Sequence, residues 1–309
     1  MSNNLTHTGI PTAGIFGMEN ARAWNPVKGC KNERCHLHPV NTGKCWAAQM
    51  CNRMAEPWAL SEVKYSELNK LFRPNCEDLI KNDLKNFKPT WLESQFEKQF
   101  PKKRSCILVG YMTDIAYISR EWVQKMIGRI IQDNEERELA GLPLHTFQFL
   151  TKDPKMIYTN SMQWPINCQL GFTATNQNEF NERSYYAKIA AYADGFDFRR
   201  ISYAYLEPLR GPINIKDQRS FDWVIVGGGS EPLKPDWVRS IRDQCQAAGI
   251  PFYFKQWSKK YIPCGHSYAT PKELFYMRNP QKYAKEMKAA GGQTNWLDNK
   301  QWKQFPEVE

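Results

Sequence analysis

From residue 105 onward the chain alternates short apolar runs with amphipathic ones. Ser105 to Asp114 (SCILVGYMTD) reads as a buried strand. Trp122, Met126 and Ile130 then recur at four-residue spacing, which predicts a helix over about 119–134. His145 to Lys152 (HTFQFLTK) is a second strand, and Pro154 opens a short helical turn. Asn167 to Thr175 (NCQLGFTAT) is a third, followed by a helix over 177–193 that buries Phe180, Ala187 and Ala191. Arg199 to Leu206 (RRISYAYL) is a fourth, and Asp222 to Val226 (DWVIV) a fifth that runs into Gly227-Gly228-Gly229. Pro235 opens a helix with Trp237, Ile241 and Cys245 on one face and Gly249 as its cap. Pro251 to Gln256 (PFYFKQ) is a sixth strand, and one more is expected just before Cys30.

Near-continuous apolar strands between helices mean a parallel sheet covered on both faces. Nearly every strand ends in polar or small residues: Thr113-Asp114, Thr151-Lys152, Thr173 to Thr175, Glu207, Gly227 to Ser230 and Lys255-Gln256. In a β/α barrel all such ends face one mouth, where active sites are built. In a doubly wound sheet only the switch-point strands would carry them. The pattern favours an α/β fold, a partial (β/α)6-type barrel of parallel strands. The barrel is expected over 1–257, with a helical insertion at about 57–104. A basic, aromatic-rich extension, 258–309, is expected to pack on it. Tyr203 and Tyr205 point to one face of their strand. They either stack on a base inside the barrel or form core under a helix, and core is favoured.

The composition adds a partner class. A net charge of +10 with 11 Trp and 14 Tyr suits a polyanion such as nucleic acid, through phosphate contacts and base stacking. No run of apolar residues is long enough to span a membrane. The polar, Gly-rich start lacks a signal-peptide pattern. A cytoplasmic location with reduced thiols is therefore expected. Of the nine cysteines, Cys106, Cys168 and Cys245 fall in apolar runs and read as small core residues.

Cys30, Cys35 and Cys45 are different, because they crowd one short polar segment. Clustered thiols in a reducing compartment suggest a metal or an iron–sulfur cluster. Cysteine usually ligates all of the irons in a [4Fe-4S] cluster, so three cysteines leave one iron open for a ligand. His36 and His38 lie in the same segment, so zinc stays open on spacing alone. Position favours a catalytic cluster. The segment follows the first expected strand and precedes a helix from Cys45 to Ala55, which places it at the mouth.

Trp24-Asn25-Pro26-Val27-Lys28-Gly29-Cys30 and Cys45-Trp46-Ala47 resemble the opening of a phage and prophage family known for its three-cysteine motif. That family is assigned to the radical S-adenosylmethionine (SAM) superfamily. The resemblance continues through Met112-Thr113-Asp114, Thr146 to Lys152, Leu206 to Ile213, Asp222 to Gly228, Phe254 to Trp257, Lys288 to Gly291 and Phe305 to Glu307. It implies a partial β/α barrel, a [4Fe-4S] cluster on Cys30, Cys35 and Cys45, and SAM on the open iron. Two positions depart from the family. Thr42 stands where the second cysteine is usual, separated from the third by two residues in the family's pattern, so Cys35 is taken as the ligand, with His36 or His38 as alternatives. Cys51, over one and a half turns beyond Cys45, is expected to face elsewhere on its helix. Gly229 stands where a glutamate is usual, with Glu231 two residues on.

The resemblance then gives the strand ends roles toward SAM. Thr113 and Asp114 hydrogen-bond its ribose or amino group. Gly227, Gly228 and Gly229 let the backbone approach it, or else form a tight strand-to-helix turn, and Ser230 is a further residue expected to bind it. Glu207 takes a cationic or hydroxyl group, and Lys152 and Lys255 balance carboxylate or phosphate. The alternative for each charged residue is an internal ion pair. The implied chemistry is reductive cleavage of SAM to a 5′-deoxyadenosyl radical, fed by an external electron donor. The basic charge points to a nucleotide, nucleic acid or modified base as substrate, in phage DNA modification or repair. The rivals are a non-catalytic nucleic-acid-binding protein with structural zinc, and a subunit that docks a protein partner through Trp296, Trp302 and Phe305.

Overall fold

The structure is a computed structural model, and it describes residues 21–65, 76–155, 163–192, 202–215, 221–229, 233–257, 296–297 and 300–305. Ser230, Glu231, Cys264 and most of the extension lie outside them. Seven strands form one sheet in the order β1 (Arg22–Trp24), β4 (Cys106–Val109), β5 (Thr146–Thr151), β6 (Cys168–Thr173), β7 (Ser202–Leu206), β8 (Trp223–Gly227), β9 (Phe252–Gln256). The pairs β1/β4, β4/β5, β7/β8 and β8/β9 are parallel. Each sheet strand is added beyond the previous one and the order never reverses. There is therefore no switch point, and the chain belongs to the partial (β/α)-barrel class with inserted helices and a C-terminal extension.

The chain divides into two compact units, residues 1–170 with 193–200, and residues 171–192 with 201–309. In the first, helix α4 (Arg120–Leu139) lays Val123, Met126, Ile127 and Ile130 on Ile107, Val109, Phe147 and Phe149 of β4 and β5. Ser119 caps it, accepting from the Trp122 amide at 3.3 Å. Helices α1 (Trp46–Tyr65), α2 (Cys76–Lys85) and α3 (Glu93–Phe96) fill the predicted insertion.

One expectation needs correction. The residues just before Cys30 do not join the sheet. Strand β2 (Val27–Lys28) pairs antiparallel with β3 (Thr90–Trp91) of the insertion, and the sheet strand is β1, five residues earlier than Gly29. Asn25-Pro26 interrupts the run, and proline cannot donate a ladder hydrogen bond. The insertion thus grips the root of the cysteine segment: the Cys30 amide donates to Phe87 O at 2.9 Å. Gly29, at φ +89°, lies so close to Lys88 that a Cβ would sit 2.1 Å from its carbonyl oxygen, so only glycine fits.

His145, at the root of β5, is fully buried. Its Nδ1 accepts from the Ser105 amide at 3.0 Å, and Arg137 Nη1 lies 3.0 Å from Nε2. Burial, and then the Arg137 charge, lower its pKa from 6.5 to about 4. The unfolded chain takes up this proton first as pH falls. The stability contribution is therefore present above pH 6.5 and lost on the way down to about 4. Urea titrations at pH 7 and pH 4.5 should differ by roughly 2–3 kcal/mol at this site. His145→Gln should shrink that difference.

In the second unit, α6 (Pro235–Ala248) buries Val238, Ile241 and Cys245 against Ala204, Leu206, Val224, Val226, Phe252 and Phe254. Gly249, in the left-handed region, ends it as predicted. The alternate residues Tyr203, Tyr205, Trp223, Tyr253 and Lys255 occupy the opposite face of β7 to β9. The tyrosines are buried, but they are not core under that helix: Tyr203 packs flat over Gly171, and Tyr205 meets Lys255. The described end of the extension returns to β9. Phe254 N donates to Trp302 O at 2.9 Å, and Phe305 packs on Trp223 and Tyr253. Trp302 and Phe305 are thus engaged within the chain. Cys106, Cys168 and Cys245 are fully buried core thiols, as expected.

Candidate active site

In the first unit the chain leaves β2 through Gly29 and runs from Cys30 to Cys45 before entering α1. Short turns organise this loop. His38 N donates to Cys35 O at 2.8 Å, Cys35 N to Asn32 O at 3.0 Å, and Thr42 Oγ1 to His36 O at 2.8 Å. The His38 ring lies 5.7 Å from that of Phe87, and its Nε2 is 3.0 Å from Cys30 O. This histidine therefore shapes the loop around Cys30.

Asp114 pins the loop to the sheet. It is buried, and four donors reach its carboxylate. Oδ1 accepts from Thr151 Oγ1 at 2.6 Å and from the Ala116 amide at 3.2 Å. Oδ2 accepts from Asn32 Nδ2 and from the Lys152 amide, both at 3.0 Å. One carboxylate thus ties the cysteine loop to the segments following β4 and β5. Thr113, its neighbour, keeps a buried Oγ1 with no hydrogen-bond partner among the described residues.

The three predicted cysteines are unpaired and half-buried. Cys30 Sγ accepts the Asn32 amide at 3.3 Å. Burial pushes its thiol up to about 11, so a metal or a cation is needed to hold it as thiolate at neutral pH. Cys30 and Cys45 pack on one small cluster built from Ala47, Cys51, Phe87 and Met112. Cys51 does not face away. It is buried with that cluster, and its thiol, raised to about 11 by burial, feels the charges of Lys28 and Cys45. Lys28 is itself buried, with Nζ 4.0 Å from the Trp58 ring centroid and 3.8 Å from Met112 Sδ. Burial lowers its pKa to about 8. Among the described residues no three His, Cys, Asp or Glu side chains stand in a metal-holding group. Free thiols on one loop are the donor type that an iron–sulfur cluster or zinc takes. The three sulfurs are not gathered at one point.

The second unit carries its own polar set at the ends of three adjacent strands. Lys255 Nζ lies 2.6 Å from Glu207 Oε2 and 2.9 Å from Tyr205 Oη, and Gln256 Nε2 donates to Glu207 Oε1 at 3.1 Å. The Glu207 and Lys255 side chains are only 14% and 10% exposed. Burial and the nearby Glu207 raise the Tyr205 phenol well above its ordinary range. The Gly228 amide donates to Gln256 O at 2.9 Å. Gly227 leaves room for the pair, since a Cβ there would fall 2.9 Å from the Glu207 carboxyl. Gly227→Ala should displace Glu207 and cost roughly 1–3 kcal/mol, as overpacking does, read as a lowered thermal midpoint.

The predicted residues thus fall into two groups. In the first unit Asp114 holds the Lys152 amide and, through Asn32, the loop of Cys30, while Cys45 packs with Cys30 in a cluster that does not include Cys35; Glu207, Gly227, Gly228 and Lys255 meet in the second. Asn32, Lys28 and Cys51 were not singled out as site residues from the sequence. The only sequence trace of Asn32 is its place two residues after Cys30. No described helix is long and apolar enough to cross a membrane.

A family model described as "Protein of unknown function (DUF5131)" matches residues 19–306, and the chain belongs to that family. No curated protein and no solved structure matches it.

Proposed function

We propose that this DUF5131 chain is a radical SAM enzyme that acts on a nucleotide, nucleic acid or modified base. The single observation that carries the reading is the cysteine loop, held by Asp114 at the segments following two parallel strands, with Asn32 Oδ1 and Thr113 Oγ1 buried and unpartnered among the described residues. When bound, the cluster and SAM supply one-electron cleavage and a radical that abstracts hydrogen from substrate. The chain's own residues supply soft ligands, orientation and charge. Cys30 and Cys45 offer thiols from one packed cluster, and Cys35 offers the third from the same loop. Lys28 sets a buried positive charge near the Cys51 thiol, which packs in the same cluster. In the second unit, Lys255 and Glu207 form a largely buried ion pair that offers both charges to a polar ligand there. The +10 net charge suits a phosphate-bearing substrate, and an external donor supplies the electron.

The test is anaerobic purification and reconstitution, with iron, sulfide and zinc assays and paramagnetic resonance of the reduced protein, with and without SAM. The reading predicts about four irons and four sulfides per chain, with a spectrum that changes when SAM is added. One zinc and no iron would replace it with a nucleic-acid-binding protein carrying structural zinc.

A further inference from the structure

Residues 98–104 (KQFPKKR) carry four cations in seven positions. Glu97 precedes them, and no acidic residue occurs from 98 to 113. The segment joins α3 to β4, and it is anchored from inside. Phe100 turns into the core, its ring 5.0 Å from that of Trp24 and 5.2 Å from that of Phe147. Arg137, only 5% exposed, gives its guanidinium to carbonyls: Nη1 donates to Pro101 O at 3.3 Å, Nη2 to Lys102 O at 3.2 Å and Nε to Pro143 O at 2.8 Å. The Ser105 amide, next along the chain, donates to His145 Nδ1. Burying an arginine is costly, and here its donors fix the backbone of the basic run.

The side chains of that run are left to solvent. Lys102, Lys103 and Arg104 are exposed, and Lys98 is half-buried. Among the described residues none of the four forms an ion pair, although Asp133, Glu135, Glu136 and Glu138 lie on the half of α4 that carries Arg137. Arg129 adds a fifth charge, its guanidinium 5.5 Å from the Phe100 ring centroid. Unpaired cations on a pre-set backbone suit phosphates, because little is left to order on binding and Lys and Arg supply the donors.

The place of the run narrows the anion. It stands where β4 starts and α4 ends, whereas Asp114 and the cysteine loop it pins stand where β4 ends and α4 starts. The length of α4 sets the two about 30 Å apart. A free nucleotide cannot reach both. A strand can, over roughly nine phosphates at ~3.4 Å each.

We propose that Lys98, Lys102, Lys103 and Arg104 dock the phosphates of a nucleic-acid strand. This deepens the reading above, which leaves nucleotide, nucleic acid and modified base open, by assigning a polymer.

Equilibrium binding of the full chain to a fluorescein-labelled DNA single strand of about 20 nucleotides tests it, from about 50 to 200 mM salt. The triple variant Lys102→Gln, Lys103→Gln, Arg104→Gln should flatten the slope of log K against log salt by about 2, at ~0.7 per lost contact, and bind roughly 10- to 100-fold more weakly at about 50 mM. Removing the same charge from exposed positions on α1 and α2, by Arg53→Gln, Lys64→Gln and Lys85→Gln, should leave the slope as in the wild type. A ridge variant with the wild-type slope overturns the inference, and so does a control that flattens it equally. The wild type alone gives a further test, which needs no variant to fold. It should bind the long strand at least about 10-fold more tightly than a dinucleotide, which offers one phosphate, and equal affinity overturns the inference. The assay needs neither iron nor SAM. A chain that takes up no iron but docks the strand through the ridge sinks the proposed function and leaves this inference standing, and the reverse result sinks the inference alone.

Discussion

Cys30→Ala should abolish iron retention after anaerobic reconstitution, taking bound iron from about four per chain to near zero. Cys30 is the thiol most firmly built into the site. Its amide donates to Phe87 O, its carbonyl is met by His38, and its sulfur already accepts the Asn32 amide. Removing it subtracts a donor whose backbone position is fixed and cannot be reassigned to a neighbour. Cys45→Ala should behave alike. Cys35→Ala and Cys51→Ala separate the remaining choice, because the first thiol lies on the loop and the second in the packed cluster with Cys45. Full iron in Cys35→Ala with loss in Cys51→Ala would move the third ligand to the helix. Thermal melts of the apo proteins should show Cys30→Ala still folded, since the thiol is half-buried and not part of the main core.

Asp114→Asn should release the cysteine loop. The wild-type carboxylate satisfies two donors on each oxygen. An asparagine can keep its oxygen toward Thr151 and the Ala116 amide, but its nitrogen then faces the Asn32 and Lys152 N–H groups. Donor faces donor, and two charge-assisted bonds are lost. The expected cost is roughly 3–5 kcal/mol, from two hydrogen bonds to a charged group at about 1.5–3 kcal/mol each. Hydrogen exchange should report it locally: amides from Asn32 to Gly43 lose protection while those of β7 to β9 keep theirs. Uniform protection loss across both units would mean global destabilisation instead of an unpinned loop.

Much of the fold was legible because strand and helix periods are written in neighbouring residues. Sheet strands β4 to β9 and the helices that follow β4, β6 and β8 lie where the apolar runs place them, with ends shifted by a few residues; the turn expected at Pro154 runs into residues outside those described. Thr151, Lys152, Glu207 and Lys255 sit at or just beyond strand ends, as the polar punctuation predicted. The failures are where pairing decides. Val27-Lys28 reads as the end of a sheet strand, yet Asn25-Pro26 breaks the run, and the residues pair with Thr90-Trp91 more than sixty positions away. Tyr203 and Tyr205 share a face in the sequence, but only the packing of α6 on Ala204 and Leu206 fixes which face it is. Cys51 is predicted to turn from Cys45 by ideal helix spacing. Because Cys45 precedes the helix, its direction is set by loop packing, and the two end in one cluster.

The sequence by itself determined the periodicity, the polar strand ends that favoured a barrel, the clustered thiols and the basic charge, since each depends on local spacing or on a sum over residues. Only the tertiary structure decided that Asp114 spends its carboxylate on Asn32, Thr151 and two amides, that Lys255 closes on Glu207, and that Asn32 Oδ1 is left bare. Apart from the Ala116 amide two residues on, these are contacts between residues 37 to 82 positions apart, or the lack of one, and hydrogen-bond saturation becomes visible only when every donor around an acceptor is in place.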